Sequence, residues 1–171
     1  MHFSLPFPLV NGTGAGHPEN NGNKDIVGRT SYSLTNTMTA GVSGHKGEFK
    51  DSASAKNLDR VRYGLDLEYS MDALRFRGEY LFRTDESKTG KDITSTGWYI
   101  LTERQLIPGI DGIFRYEQYD PDPETGESGW DVIMLGLNLS PGPNTQFSIN
   151  YDIRSESGKG NLLTTQIQAV F

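Results

Sequence analysis

The residues best equipped for chemistry in this chain are arginines placed at alternate positions among carboxylates. Arg60, Arg62, Arg75, Arg77 and Arg83 fall close together, interleaved with Asp66, Glu68 and Glu79. Arg29, Arg115 and Arg154 stand further off, the last two near Glu117 and Asp152. A guanidinium presents fixed N–H donors that match the oxygens of phosphate or carboxylate, so a row of them along one surface favours anions. The interleaved acids oppose this by neutralising some of the row.

Other chemistries find little support. His2, His17 and His45 are dispersed, and no two have metal-ligand spacing. The absence of cysteine removes disulfides, thiolate ligands and a cysteine nucleophile. Gly12-Thr13-Gly14-Ala15-Gly16 precedes no helical pattern and reads as a loop, not a phosphate cradle. Asp120, Asp122 and Glu124 alternate with Pro121 and Pro123 and read as a solvated acidic loop ahead of a calcium site. A hydrolytic rim would need a histidine beside an acid or serine, and His45 is the sole candidate. No enzyme, cofactor or metal is expected. With 22 acidic against 16 basic side chains and no basic patch, nucleic acid is not an expected partner either.

The elements that position the arginines are strands. Helical spacing is hard to find, while period-two alternation recurs along the 171 residues. Val61, Tyr63, Leu65, Leu67 and Tyr69 alternate with Arg60, Arg62, Gly64, Asp66 and Glu68. After a turn at Ser70-Met71-Asp72-Ala73, Leu74, Phe76, Gly78, Tyr80 and Phe82 alternate with Arg75, Arg77, Glu79, Leu81 and Arg83. Setting Tyr69 against Leu74 pairs Leu67 with Phe76, Glu68 with Arg75 and Asp66 with Arg77, a register favoured on both faces. Arg60 and Arg83 then face each other with no acid opposite, which makes them the better anion ligands. A second hairpin sets Ile133, Leu135, Leu137 and Leu139 before Ser140-Pro141-Gly142-Pro143-Asn144, and Phe147, Ile149, Tyr151 and Ile153 after it.

Extended along the chain, the pattern predicts about ten strands, near 3–11, 25–34, 38–45, 60–69, 74–83, 96–106, 111–120, 130–139, 145–154 and 162–171. The strand at 96–106 is the least regular, because Glu103 and Arg104 are adjacent. Short links (35–37, 70–73, 108–109, 140–144) alternate with long polar loops (12–24, 46–59, 84–95, 121–129, 155–161). An antiparallel up-and-down sheet with two unlike ends is the pattern of a transmembrane β-barrel. Strands of about ten residues suit a tilted bilayer crossing, whereas no apolar run approaches the ~20 residues of a membrane helix. Aromatics near strand ends (Tyr69, Phe82, Phe147, Phe171) fit interfacial girdles. The competing reading is a soluble ligand-binding β-barrel or sandwich, whose apolar face would point inward; an outer-membrane hydrolase is a distant third.

On these residues the chain resembles the carboxyl-terminal part of a Gram-negative outer-membrane porin of the phosphate-selective O/P type. The likeness rests on Val10 to Gly14 with Asn20 to Arg29, Arg62 to Tyr69 with Leu74 to Tyr80, Gly97-Trp98-Tyr99 through Pro108-Gly109 to Arg115 to Asp120, and Leu135 to Asn138 with Leu163 to Phe171. It implies an outer-membrane location, a sixteen-stranded homotrimeric barrel, small anionic solutes, lipid contact, and a terminal Phe171 read by the barrel-assembly machinery. Met1 to Val10 lacks the features of a secretory signal, and ten strands fall short of sixteen. Residues 1–171 are therefore expected to be a single β-barrel domain, a carboxyl-terminal fragment of a larger porin barrel. Its rival is an authentic ten-stranded barrel.

Overall fold

The computed structural model describes residues 9–11 (backbone only), 22–50, 56–87, 91–124, 129–156 and 158–170. Phe171, His2, His17, residues 3–8 of the first predicted strand and the loop Gly12 to Gly16 lie outside them. The chain forms β1 (Leu9–Asn11), β2 (Lys24–Ser33), β3 (Met38–Lys50), β4 (Asn57–Met71), β5 (Leu74–Asp85), β6 (Ile93–Ile107), β7 (Ile110–Asp120), β8 (Trp130–Gly142), β9 (Thr145–Arg154) and β10 (Leu162–Ala169). They make one ten-stranded sheet in chain order, each strand antiparallel to the next. This is the predicted up-and-down architecture. β1 and β10 are its edges, and among the described residues they do not pair with each other.

The strands outrun their predicted lengths at the end where the long loops lie. β3 continues to Lys50, β4 begins at Asn57, β5 reaches Asp85 and β6 begins at Ile93. Polar residues there weaken the period-two signal while the backbone ladder carries on. At the other end the links are tight. Pro108-Gly109 joins β6 to β7, with Gly109 at φ +79°, the left-handed conformation a turn of this kind assigns to glycine.

The β4–β5 turn corrects the predicted register. Its two residues are Asp72 and Ala73, with Asp72 at φ +49°, and the ladder runs to Met71↔Leu74. Aspartate tolerates this left-handed geometry better than most residues. Every pairing then slips by two from the expected one: Tyr69 meets Phe76, Glu68 meets Arg77, Asp66 meets Glu79, Arg62 meets Arg83 and Arg60 meets Asp85. A two-residue slip leaves each side chain on its predicted face and changes its partner.

The two faces differ sharply. Ile26, Val42, Tyr63, Leu65, Tyr80, Leu135, Leu137, Ile149 and Ile167 share one face and are all exposed, Tyr63 at 58 % and Ile167 at 70 %. Only Leu58 and Val132 are buried hydrophobics among the described residues. Both of them, with Asp25, Gly41, Gly47, Gly64, Asp85 and Ser95, belong to the charged face, which carries every buried residue described. Burial confined to one face means that the sheet curls toward it. The charged side is the inside. A soluble barrel or sandwich would place the apolar side there instead, as the competing reading required.

On β4 the outward positions from Val61 to Met71 carry no charge, while Asp59 lies just beyond at the loop end. On β6 the outward run Trp98, Ile100, Thr102 ends at Arg104. The adjacent Glu103 and Arg104 are thereby resolved: Glu103 faces inward and Arg104 marks the outer rim at the tight-turn end. Trp98 and Tyr116 pack at a tilt on the outer face with centroids 5.3 Å apart, and the Trp98 indole N–H donates to Gln118 Oε1 at 3.0 Å. An amphipathic aromatic so partnered suits the boundary between hydrocarbon and water.

An arginine placed mid-band, as in Leu65→Arg or Leu135→Arg, is expected to cost about 2–4 kcal/mol in lipid vesicles. Ser148→Arg on the inner face is expected to cost far less. Urea titration of the vesicle-inserted chain checks the contrast, and equal tolerance at the three positions would contradict the assignment of faces.

Candidate functional site

The inner face is a lattice of charges held by pairing. Of the eight arginines singled out in the sequence, seven reach a carboxylate. The Arg29 guanidinium donates to Asp66 Oδ1 at 2.7 Å, passing from β2 to β4 over the intervening β3. The crossing is open because β3 presents Gly41 there; a Cβ at Gly41 would land on the Asp66 carboxylate. Arg77 lies 3.6 Å from Glu68, Arg75 3.2 Å from Glu103 and Arg154 3.3 Å from Asp152. Arg115 contacts Glu117 and lies 5.6 Å from the centre of the Tyr99 ring.

The expected partners Glu68–Arg75 and Asp66–Arg77 are thus replaced. Asp66 and Glu68 do sit in cross-strand ion pairs, with Arg29 and Arg77 respectively. The larger correction concerns Arg60 and Arg83, expected to be free of acids. Both bind Asp85: Arg60 donates to its two oxygens at 3.0 and 3.3 Å, and Arg83 contacts the same carboxylate. Arg60 also lies over the Phe49 ring, 4.3 Å from its centroid. Asp85, with a side chain only 10 % exposed, is the anchor of this group. Exposed pairs such as Arg77–Glu68 contribute about 0–1 kcal/mol, so they set local charge more than stability.

Arg62 is the exception. It stands between His45 of β3 and Arg83 of β5 in the ladders, and no carboxylate pairs with it among the described residues. Its neighbours His45, Arg83, Ser43, Ser95 and Tyr119 line a cavity of about 640 Å³ at the long-loop end of the sheet. The arrangement offers one uncompensated guanidinium, flanked by a second guanidinium and an imidazole, to a solute anion. Among the described residues no group of three or more His, Asp or Glu side chains converges as a metal site would. In the loop, Asp120 Oδ1 accepts from the Asp122 N–H at 3.1 Å and Asp122 Oδ1 from the Glu124 N–H at 3.2 Å.

Sequence reasoning missed Asp85, Asp25 and Glu103. Asp85 continues the inward alternation of Arg75, Arg77, Glu79 and Arg83, and Asp25 precedes Val27 and Arg29 in the same way. Asp85 falls in the predicted loop 84–95 and Asp25 opens the predicted strand 25–34 with no role assigned to it, although the alternation marks both as inward. His45 was recognised as a rim histidine, and the structure gives it the buried partner Asp25, with Nε2 2.7 Å from Oδ2.

No protein-family model matches the sequence, and no curated protein does. Solved structures do match. Similar to this chain are an anion-selective porin from Comamonas acidovorans (15 % identity, TM-score 0.67, 85 % of this chain and 45 % of that one) and OmpTdeltaL8, a loop-deletion mutant of an outer membrane protein of Vibrio cholerae (12 % identity, TM-score 0.67, 89 % and 55 %). The sheet therefore has the fold of outer-membrane β-barrel walls. The chain spans about half the length of the structures it matches.

Filling the Gly41 crossing tests the lattice. Gly41→Val is expected to displace Asp66, release Arg29 and cost about 1–3 kcal/mol in urea unfolding. Thr39→Val, on the same strand and face beside Glu68, fills no such crossing and should be close to neutral.

Proposed function

We propose that this chain is wall of an outer-membrane pore through which small hydrophilic solutes diffuse passively, with a preference for anions. One observation carries the reading: burial is confined to the charged face while the large apolar side chains of the opposite face stand exposed. A sheet so built is stable where hydrocarbon covers the outside and water fills the inside. Bacterial outer membrane is the location that supplies both.

The anion preference rests on Arg62. Pairing cancels most of the arginine row, so selectivity is governed by the positive charge left over in the cluster around Arg62, and the net charge of −6 for the whole chain does not bear on it. The porin neighbour described as anion-selective supports this reading, as does the likeness to phosphate-selective porins, whose finer specificity we include in the proposal. A sheet whose edges β1 and β10 are unpaired among the described residues cannot stay so in lipid, because each unpaired backbone group there costs several kcal/mol. We take the remaining wall to come from further strands of a larger, sixteen-stranded barrel that assembles as a homotrimer. Lipid, the barrel-assembly machinery acting on Phe171 and small anions are its partners.

Reconstitution into planar bilayers tests the function. The chain in its complete barrel should give ohmic single-channel currents, with a reversal potential in a KCl gradient that favours chloride. Arg62→Gln should lower that preference by about fivefold, since one unit charge some 8 Å away in water shifts chloride and potassium by about twofold each in opposite senses. Arg77→Gln together with Glu68→Gln, a neutral exchange, should leave it nearly unchanged. Absence of channels, or equal effects of the two substitutions, would contradict the proposal.

A further inference from the structure

The pair His45–Asp25 lies beside the uncompensated arginine and has no part in the pairing lattice. Asp25, on β2, is buried to 3 % exposure, and its Oδ2 accepts from His45 Nε2 at 2.7 Å. Its other oxygen, Oδ1, accepts from the Glu48 backbone N–H at 3.3 Å. The carboxylate fits because Gly47 lies beneath it; a Cβ there would collide with Asp25. These contacts fix the ring with one nitrogen committed and the other free to take a proton. His45 is also directly opposite Arg62 in the β3–β4 ladder and lines the same cavity.

The charges around the imidazole are few among the described residues. From β2 it meets Asp25, with Arg29 further along that strand tied to Asp66. From β4 it meets Arg62, with Arg60 next on that face tied to Asp85, which also holds Arg83 of β5. Its chain neighbours Lys46 and Glu48 have side chains on the outer face. With a neutral imidazole, three guanidiniums (Arg60, Arg62, Arg83) stand against two carboxylates (Asp25, Asp85). The cluster then carries one net positive charge. A proton on the free ring nitrogen raises it to two while the hydrogen bond to Asp25 is kept.

We infer that His45 is a specificity-determining residue whose protonation strengthens the anion preference of the Arg62 cavity as the outside medium turns mildly acidic. The inference rests on the pore reading and deepens it. Imidazole is the side chain whose ordinary titration lies between pH 5 and 8, and the cavity lies at the long-loop end, which in such barrels faces outward. The device needs no moving part: the added charge acts on permeant ions directly.

The test is the reversal potential of the reconstituted wild-type chain in its complete barrel, across a KCl gradient, between about pH 8 and pH 5. The chloride-to-potassium permeability ratio is expected to rise about fivefold on acidification, because one added charge at some 8 Å in water favours chloride and disfavours potassium by about twofold each. His45→Gln should hold the alkaline value at both pH values, and His45→Arg should hold the acidic value at both. If His45→Gln does not assemble, His45→Arg carries the comparison alone. A wild-type ratio that does not move, or a variant that keeps the wild-type rise, overturns the inference and leaves the pore standing. Wild-type protein that forms no channel overturns the pore reading, and this inference with it.

Discussion

An exposed apolar sheet face is costly in water, and an unpaired strand edge is costly in hydrocarbon. This chain lives between those two constraints. Among the described residues it has a hydrophobic face with no second layer to cover it, and only two hydrophobic side chains are buried, both among charges. The stabilisation that a soluble domain draws from its core must come here from lipid on one side and a continuous backbone ladder along the sheet. The uncharged outward run on β4, bounded by Asp59, is the length over which that exchange of solvents operates.

The inner face follows from the outer one. Once alternation commits every second residue to lipid, the remaining positions project into a confined aqueous space where charge must be managed locally. Charges gather into groups that simple opposite pairing does not define, such as Arg60 and Arg83 sharing Asp85, or Arg29 reaching Asp66 across a glycine. On the proposed pore reading, selectivity is then a property of remainders: among the described residues Arg62 is the one singled-out arginine left without a carboxylate, and His45 faces it across the ladder.

Much of this was legible in the amino-acid sequence, and the failures share a cause. A period of two assigns each side chain to a face, which is why the strand order, the two faces and the unlike ends could all be read from alternation such as Val61 to Tyr69. The same periodicity is blind to slips of two residues. The choice between Glu68–Arg75 and Glu68–Arg77 therefore depended on the Asp72-Ala73 turn, whose left-handed aspartate carries no strong sequence mark. Partners two strands apart, as in Arg29–Asp66, depend on a glycine in between and lie beyond any hairpin argument. Strand ends blur in the sequence where polar residues take over from apolar ones, and Asp85 falls in a predicted loop for that reason.

The central claim is which face meets lipid, and the cysteine-free chain allows it to be measured directly. Single cysteines introduced by Leu65→Cys, Leu135→Cys, Arg62→Cys and Ser148→Cys, in protein inserted into lipid vesicles, can be offered a charged, water-soluble maleimide. The account predicts rapid labelling at positions 62 and 148 and protection at 65 and 135, with fluorophores attached at the latter pair before insertion quenched by brominated acyl chains. Rapid aqueous labelling at 65 and 135, with 62 and 148 shielded, would contradict it.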